Sequence, residues 1–418
     1  MSRLIKKLIR IGLFVGLMFA LSQPSPGRAA TDCAAQTEIP LAECQALLSL
    51  YDGTNGTLWS DSPGNGWNQN NTPCSWTGVT CSSPPHHVTD ILRPGMNLVG
   101  TLPSLDGLPQ LQQLDLSNNQ LSGAIPSLDA LTSLVKLDLS ANQLSGAIPS
   151  LSAITPLTIL NLSGNQLSGT LPSLSALIHL SLLDLSHNQL GGPIPSMSAL
   201  VSLKTLYLSD NHLNSTIPVL SALTLLERLN LADNQLAGAF PDVGSLTHMM
   251  ELNVDNNQLL GVIPTSLRYR DINLLGVSYN MLTASDIPLV QYLNQRDGDW
   301  EYTQTVPPTN PSAVALSANS VRVSWTLIYY TKDGGYYRAK YSKTSGGPYT
   351  PASGTTADKK ATRYVVAGLS KNTPYYFVVE AYTPPHGSQQ NALTSVNSAE
   401  VTATTTGTYY LYLPLVIK

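Results

Sequence analysis

Side chains suited to binding chemistry are concentrated in the middle of the chain, between residues 187 and 251. Most polar residues that flank this region are small serines and asparagines. An aromatic ring flanked by charged groups is the usual material of a binding hot spot, for a protein or a sugar ligand. We therefore predict a binding site here, although sequence drift on a solvated face would give the same composition. The seven predicted site residues are His187, Lys204, Tyr207, Asp210, Arg228, Asp233 and Glu251.

Catalytic motifs are missing from the sequence. It contains no Gly-x-Ser-x-Gly, no His-Glu-x-x-His, no phosphate-binding glycine loop and no calcium-loop pattern. Carboxylates do occur in pairs, but only because a repeat places acids in rows. We therefore predict a protein that is not an enzyme and that has no cofactor and no metal site.

The start of the chain predicts export. Residues 1–30 hold five basic residues and no acid, and an apolar run at residues 11–21 follows the basic start. This pattern is typical of a secretory signal peptide, with an uncleaved anchor as the alternative. The remaining chain carries 17 basic and 26 acidic side chains, an acidic balance that argues against nucleic acid as a partner. No later segment has 18 continuous apolar residues, so we expect no membrane span in the mature chain.

The four cysteines lie close together near the predicted mature terminus. Their even number and the export signal favour disulfides, and their spacing does not suit a zinc site. Three pairings are possible, and we favour Cys33 with Cys44 and Cys74 with Cys81. Both bonds would lie within a small N-terminal cap, predicted over residues 31–87.

A repeat of 23 residues must position the candidate site. The segment LDLSNNQLSGAIP at residues 114–126 returns as LDLSANQLSGAIP at residues 137–149. A fixed period of this length indicates a solenoid, since no single unit can bury its own apolar face. The nine copies of L-x-x-L-x-L begin at Val88, Leu111, Leu134, Leu157, Leu180, Leu203, Leu226, Met249 and Ile272.

Each position within the repeat has a predicted role. The apolar residues of LDL alternate, as in a short strand with one buried face, so nine strands should form a parallel sheet. The recurring prolines should fix an extended outer segment. A recurring asparagine should hydrogen-bond backbone groups where the chain turns inward. These asparagines are Asn119, Asn142, Asn165, Asn188, Asn211, Asn234, Asn257 and Asn280.

One row of outward-facing strand positions places acids in adjacent repeats. Asp115 and Asp138 should lie one strand spacing apart, about 4.8 Å, where like charges repel. Such a row is tolerated if the surface is wet or if a partner supplies positive charge. Only Tyr207 and Tyr279 are candidates for exposed aromatic residues of the array.

The repeat pattern L-x-x-L-x-L-x-x-N-x-L-x-G-x-I-P over residues 88–294 closely resembles leucine-rich repeats of the plant-specific type, which also occur in bacteria. The segment CSWTGVTC at residues 74–81, with Trp59 and Trp67, resembles the N-terminal cap of such arrays. The resemblance implies that strand positions on the concave face form an extended binding surface.

A second domain follows a C-terminal cap and proline-rich linker, predicted over residues 295–311. Short β-rich runs separated by turn residues indicate a sandwich over residues 312–405. Trp325 and the segment GLSKNTPY at residues 368–375 resemble the core tryptophan and tyrosine corner of fibronectin type III domains. The last segment, residues 406–418, is an apolar tail that is either an export or attachment signal or an extra edge strand.

The predicted fold class is therefore mainly β: a leucine-rich repeat solenoid with extended or 3-10 outer segments, followed by a fibronectin type III sandwich. The resemblance implies an exported bacterial recognition protein, secreted or bound to the cell surface, with a protein or polysaccharide ligand on the concave face. A self-assembling surface component, with association through the tail, is one alternative. A non-catalytic accessory or inhibitor in extracellular polysaccharide degradation is another.

Overall fold

The computed structural model describes residues 30–387 and 389–407. The predicted signal peptide lies outside these residues except for its last position, and so does the apolar tail from residue 408 onward. Within the described ranges, neither α-helix combines the length and the apolar character that crossing a bilayer requires.

Each repeat contributes one strand to a sheet that lines the concave face. Its ten strands are parallel, except that the first is antiparallel to the second. They are β1 Val79–Cys81, β2 Val88–Leu92, β4 Gln113–Asp115, β6 Lys136–Asp138, β8 Ile159–Asn161, β10 Leu182–Asp184, β12 Thr205–Tyr207, β14 Arg228–Asn230, β16 Glu251–Asn253 and β18 Leu274–Gly276.

A second parallel sheet runs along the array after the asparagine turn. The sequence indicates only extended segments here, whereas the structure pairs these segments into a nine-stranded sheet. Its strands are β3 Val99–Thr101, β5 Gln120–Gly123, β7 Gln143–Gly146, β9 Gln166–Thr170, β11 Gln189–Pro193, β13 His212–Thr216, β15 Gln235–Ala239, β17 Gln258–Val262 and β19 Met281–Thr283.

Buried asparagines join the two sheets. Asn142 is typical: its Oδ1 accepts from the N–H of Leu121 at 2.9 Å, and its Nδ2 donates to the carbonyl of Leu116 at 3.0 Å. The same Nδ2 donates to the carbonyl of Leu139 in its own repeat at 3.1 Å. Each amide therefore satisfies backbone groups of two repeats at once, and the predicted role of the recurring asparagine is confirmed.

The asparagine ladder ends at Gln304. Its Oε1 accepts from the N–H of Leu282 at 2.9 Å, and its Nε2 donates to the carbonyl of Val277 at 2.8 Å. These are the bonds that an asparagine of a further repeat would make. Gln304 thus supplies the last rung from outside the array.

Caps close both ends of the repeat core. At the N-terminal end, helix α1 (Leu41–Gly53) is held by the Cys33–Cys44 disulfide. A Cys74–Cys81 disulfide joins the next segment to β1, so the bonds are the two that the spacing favoured. At the C-terminal end lie helix α2 (Ile287–Arg296) and the buried ring of Trp300.

Helix α2 is capped at its N-terminus by Asp286. The Asp286 carboxylate accepts from the N–H of Leu289 at 2.9 Å. Short 3-10 helices complete the repeat domain and its caps, at Gly56–Leu58, Pro73–Ser75, Thr265–Tyr269 and Trp300–Thr303.

Residues 309–404 form an antiparallel sandwich. Trp325 is buried against Tyr337, and the Tyr375 hydroxyl accepts from the N–H of Ser370 at 3.0 Å, which is a tyrosine corner. The first strand of the sandwich begins at Thr309, inside the segment predicted as linker. The strands are β20 Thr309–Ser317, β21 Ser320–Thr326, β22 Tyr336–Ser342, β23 Thr350–Pro351, β24 Arg363–Ala367, β25 Pro374–Thr383, β26 Leu393–Thr394 and β27 Val401–Thr404.

The sandwich packs against the last repeats. Asn391, in the loop after β25, donates to the carbonyls of Asn234 at 2.7 Å and Asn256 at 3.0 Å. The Thr305 and Thr383 hydroxyls, one from each domain, are buried and 2.5 Å apart. The sandwich therefore contacts the edge of the array at which the strands of the concave sheet end.

That edge is formed by residues in the left-handed backbone conformation, one before each of the eight ladder asparagines. The residue before each ladder asparagine has φ between 52° and 64°. Glycine adopts this conformation freely, whereas residues with a side chain pay a steric cost of about 1–2 kcal/mol. The row comprises Asn118, Ala141, Gly164, His187, Asp210, Asp233, Asn256 and Tyr279.

Ala141 and Gly164 provide a matched test of this cost. Replacing Ala141 with Gly should raise the free energy of unfolding by about 0.5–1 kcal/mol, because relief of strain exceeds the extra freedom of glycine in the unfolded chain. The change Gly164→Ala should lower it by a similar amount, since a Cβ there meets no atom closer than 3.5 Å and only the backbone suffers. Urea unfolding measures both changes in the free energy of unfolding. Changes of the same sign in the two variants would contradict the steric cost assigned to these positions.

Candidate binding face on the concave sheet

Two rows of side chains cover the concave sheet. The first and third residues of each short strand point away from the core, while the middle leucine is buried. Adjacent strands pair in register, so equivalent residues stack across the sheet. The first row is Gln113, Lys136, Ile159, Leu182, Thr205, Arg228, Glu251 and Leu274, and the second is Asp115, Asp138, Asn161, Asp184, Tyr207, Asn230, Asn253 and Gly276.

The acids of the second row are satisfied by the chain itself. Asp115 accepts from the hydroxyl of Ser117 at 2.8 Å, and Asp138 from that of Ser140 at 2.6 Å. Lys136, on the same strand as Asp138, donates to Asp115 at 3.0 Å. Burial disfavours the charged form of Asp115, but these donors outweigh it and lower the pKa of the carboxyl. The chain itself therefore supplies positive charge to this row through Lys136, an arrangement that neither alternative from the sequence included.

Tyr207, Arg228 and Glu251 form a cluster on the concave face. The Tyr207 hydroxyl donates to the Glu251 carboxylate at 3.0 Å, two strands away. Burial, with the neighbouring Glu251 charge, raises the pKa of Tyr207 to about 12, so its hydroxyl keeps its proton. Arg228 faces Glu251 in the strand register, but its side chain forms no hydrogen bond or ion pair within the described ranges. Its guanidinium is exposed to solvent beside the tyrosine.

The other four predicted site residues lie elsewhere. Lys204 precedes strand β12 and lies 3.6 Å from Glu227. His187 and Asp210 belong to the left-handed edge, where the ring Nδ1 and the carboxylate are 2.8 Å apart and both side chains are more than half exposed. Asp233, on the same edge, accepts from Asn256 at 2.7 Å, and its carboxylate is 3.4 Å from the Gln390 amide of the sandwich. The seven residues thus form three groups and not one site.

Sequence reasoning missed the apolar part of the concave face. Ile159 and Leu182 are half-buried neighbours in the first row, between Lys136 and Thr205. The two-residue alternation of the strands could have identified them, because each of these residues directly precedes the buried middle leucine of its strand. Tyr279, by contrast, was expected to be exposed, but its ring packs against Tyr330 of the sandwich at 6.2 Å.

Two acids share the C-terminal end of the concave sheet. Gly276 has no side chain to accept from the N–H of Ser278, and Asp255 of the neighbouring repeat accepts this bond at 2.6 Å. Asp297 of the cap accepts from the hydroxyl of Ser278 at 3.2 Å. Burial, followed by the charge of Asp297, raises the pKa of Asp255 to about 7. Burial also raises the pKa of Asp297.

No cluster of three or more His, Cys, Asp or Glu side chains in the described part of the chain is arranged to hold a metal ion.

Stability should depend on pH through Asp255. Its folded pKa of about 7 lies above the ordinary aspartate value of 3.8, so the folded chain binds a proton between these values that the unfolded chain releases. The free energy of unfolding should therefore fall as pH rises through this window. Asp255→Asn keeps an acceptor for Ser278 and should be more stable than the parent chain at pH 8, with the difference shrinking towards pH 5.

Asp115→Asn serves as the control for Asp255→Asn. The pKa of Asp115 is lowered by folding, so this carboxylate is ionised in both states above pH 5. Its replacement should cost a constant free energy of unfolding from pH 5 to pH 8. Thermal or urea unfolding over this range tests both variants, and a pH-independent effect of Asp255→Asn would contradict the role given to it.

Profiles of four known families match parts of the chain. The Leucine rich repeat N-terminal domain matches residues 40–82, and the Fibronectin type III domain matches residues 306–395. Leucine Rich repeats (2 copies) match residues 109–153, and single Leucine Rich Repeat matches follow at residues 156–176, 179–200 and 202–223.

Similar proteins come from a plant. The chain is 40% identical over 76 residues to the leucine-rich repeat receptor-like protein kinase PXC1 of Arabidopsis thaliana, covering 18% of this chain and 11% of that protein. It is 41% identical over 93 residues to Receptor-like protein 3 of the same organism, covering 20% and 12%. The chain thus matches only about a tenth of the length of these relatives. They do not support the bacterial source that the sequence suggested.

Two solved structures share the fold of the repeat region. The PEPR1–AtPEP1 structure superposes with a TM-score of 0.56 at 32% identity, covering 61% of this chain and 37% of that one. The ectodomain of GASSHO1/SCHENGEN3 from Arabidopsis thaliana, in complex with CASPARIAN STRIP INTEGRITY FACTOR 2, gives 0.50 at 32% identity, covering 57% and 33%. Taken with the matched profiles, the chain carries a leucine-rich repeat N-terminal domain, leucine-rich repeats and a C-terminal fibronectin type III domain.

Proposed function

We propose that this chain is an exported, non-enzymatic recognition protein whose concave face binds a peptide segment of a protein partner. The similar structures include a complex with CASPARIAN STRIP INTEGRITY FACTOR 2 and the PEPR1–AtPEP1 pair, which supports ligand binding by the repeats. Two disulfides in the N-terminal cap suit an oxidising compartment outside the cytosol.

The exposed guanidinium of Arg228 is the strongest support for this proposal. It stands on the sheet beside Tyr207, while the nearby carboxylate of Glu251 accepts from the tyrosine hydroxyl. An arginine in this position can form two parallel hydrogen bonds with a carboxylate of a ligand. We infer that Arg228 binds an acidic side chain or the C-terminal carboxylate of the peptide.

The first row of the concave sheet suggests the rest of the ligand. Ile159 and Leu182 lie three and two strands away from Arg228, and strands are spaced about 4.8 Å apart. Ile159 therefore lies roughly 14 Å from the arginine, about four residues of extended peptide. A ligand that fits would carry an apolar side chain about four residues away from its carboxylate.

A polysaccharide fits this face less well than a peptide. Sugar chains bind along exposed aromatic rings, and among the residues described Tyr207 is the one aromatic side chain in the two concave rows. Its hydroxyl is already bonded to Glu251, and Tyr279 is covered by the sandwich. Self-association through the apolar tail concerns residues outside the described ranges and stays a separate proposal.

Arg228→Ala should weaken binding of the partner by about tenfold or more, since a hydrogen bond to a charged group contributes about 1.5–3 kcal/mol. Adding Tyr207→Ala should weaken binding further. Both changes affect surface side chains, so the free energy of unfolding should change by about 0.5 kcal/mol or less. Binding would be measured against arrays of secreted proteins, their peptides and polysaccharides.

Lys204→Ala is the matched control, because it removes an exposed cation that lies before the strand and near Glu227. It should leave binding unchanged. An equal loss in both variants would indicate a general electrostatic effect and would contradict a specific site at Arg228. A hit confined to polysaccharides would overturn the peptide proposal.

A further inference from the structure

A cavity of about 340 Å³ lies at the junction of the repeats and the sandwich. Its walls come from the last repeat, from the C-terminal cap and from the loop after β21. Ligand sites are often found at such domain junctions, and this volume lies within their usual range of about 300–1,000 Å³. Apolar lining residues include Leu282, Ala284, Trp300, Val306, Leu327 and Ile328.

Two exposed tyrosines stand at this cavity. Tyr329 lines it, and the ring of Tyr302 packs against that of Tyr329 at 5.5 Å with an angle of 59° between the planes. The exposed fractions are 57% for Tyr302 and 65% for Tyr329. One ring comes from the cap and the other from the sandwich, so the pair exists only while the two domains are docked.

The cavity has one charged group, the carboxylate of Glu301. No lysine, arginine or histidine is among the lining residues. Within the described ranges, the side chain of Glu301 forms no hydrogen bond or ion pair. Charge complementarity therefore favours a cationic occupant.

Elsewhere the chain places its own arginines over tyrosine rings. Arg296 lies 4.2 Å from the ring centre of Tyr292, and Arg268 lies 4.8 Å from that of Tyr269. No cation lies over Tyr302 or Tyr329 in the described part of the chain. The junction thus offers the same partners, two rings and a carboxylate, with no cation of its own.

We propose that the junction cavity binds an arginine side chain of a partner protein, stacked on Tyr302 and Tyr329 and paired with Glu301. A planar guanidinium stacks on aromatic faces and forms two parallel hydrogen bonds with a carboxylate, which a lysine ammonium cannot do. A neutral sugar would use the rings and nearby threonines but would gain nothing from the charge of Glu301. This site is separate from the concave face and does not depend on it.

The docking contacts keep this cavity in place. Lys359 and Asp333 form a fully buried ion pair in the sandwich, and the Thr383 hydroxyl donates to Asp333 at 3.0 Å. Thr383 in turn contacts Thr305 of the repeat side. The buried Thr305–Thr383 bond therefore connects this polar network of the sandwich to the repeat side of the junction.

Binding would be tested by titrating acetyl-Ala-Arg-Ala-amide into the full chain and following the amide and tyrosine ring signals by NMR. We expect saturable binding with a dissociation constant in the millimolar range, as suits one small contact. The same peptide with citrulline, which has the shape of arginine without its charge, should bind at least about tenfold more weakly. Methyl β-glucoside should not bind.

Glu301→Gln should weaken binding of the arginine peptide by about tenfold, and the double change Tyr302→Ala with Tyr329→Ala should abolish it. Asp299→Asn is the matched control, since Asp299 is exposed, lies two residues away and does not line the cavity. It should leave the affinity unchanged. The concave variant Arg228→Ala should also leave it unchanged, which separates this site from the proposed function.

Four outcomes would overturn the proposal. The first is no binding of the arginine peptide at about 10 mM. Equal affinity for the citrulline peptide is the second, and equal losses for Glu301→Gln and Asp299→Asn are the third. The fourth is binding of the glucoside that Glu301→Gln does not affect, which would identify a carbohydrate site. Unchanged melting temperatures of all variants would show that each one is folded.

Discussion

The buried asparagine amide at each turn is the interaction on which the whole repeat domain depends. A buried backbone group without a partner costs about 1–3 kcal/mol, and each turn presents several such groups. One amide satisfies them by bonding two repeats, so no repeat is complete without its neighbour. The array therefore needs special ends: the carbonyl of Arg93 accepts from Asn119 at one end, and Gln304 acts as the last rung at the other.

This ladder also decides where the surface can vary. Ladder positions and core leucines are fixed by burial, and the left-handed edge is restricted by its backbone conformation. Free variation remains on the two concave rows, where the first row changes from Lys136 to Ile159 and Leu182 and then to Arg228. The edge instead receives the sandwich, through the carbonyls of Asn234 and Asn256. Docking thus uses a different face of the array from the one proposed for ligand binding.

The sequence predicted those features that repeat. The period identified the core positions, the concave sheet and the asparagine ladder, because each of these recurs every 23 residues. It did not reveal the second sheet, since its short Gln-Leu-Ser-Gly strands form their bonds between repeats and show no long alternation. Contacts made once were also missed: Tyr207 reaches over a whole strand to Glu251, and Tyr279 meets Tyr330 of another domain. No local pattern encodes such contacts.

Polar contacts at the domain junction have a consequence for binding. A buried charge such as Lys359 is costly to desolvate, and burial lowers its pKa despite the partner Asp333. The pair lies inside the sandwich, and the Thr383 hydroxyl connects it to Thr305 of the repeat side. Arg228 lies two strands before the last concave strand, about 10 Å away. A partner that reached both the concave cluster and the junction cavity would bind the second site at a high effective concentration, and two weak contacts would give a tight complex.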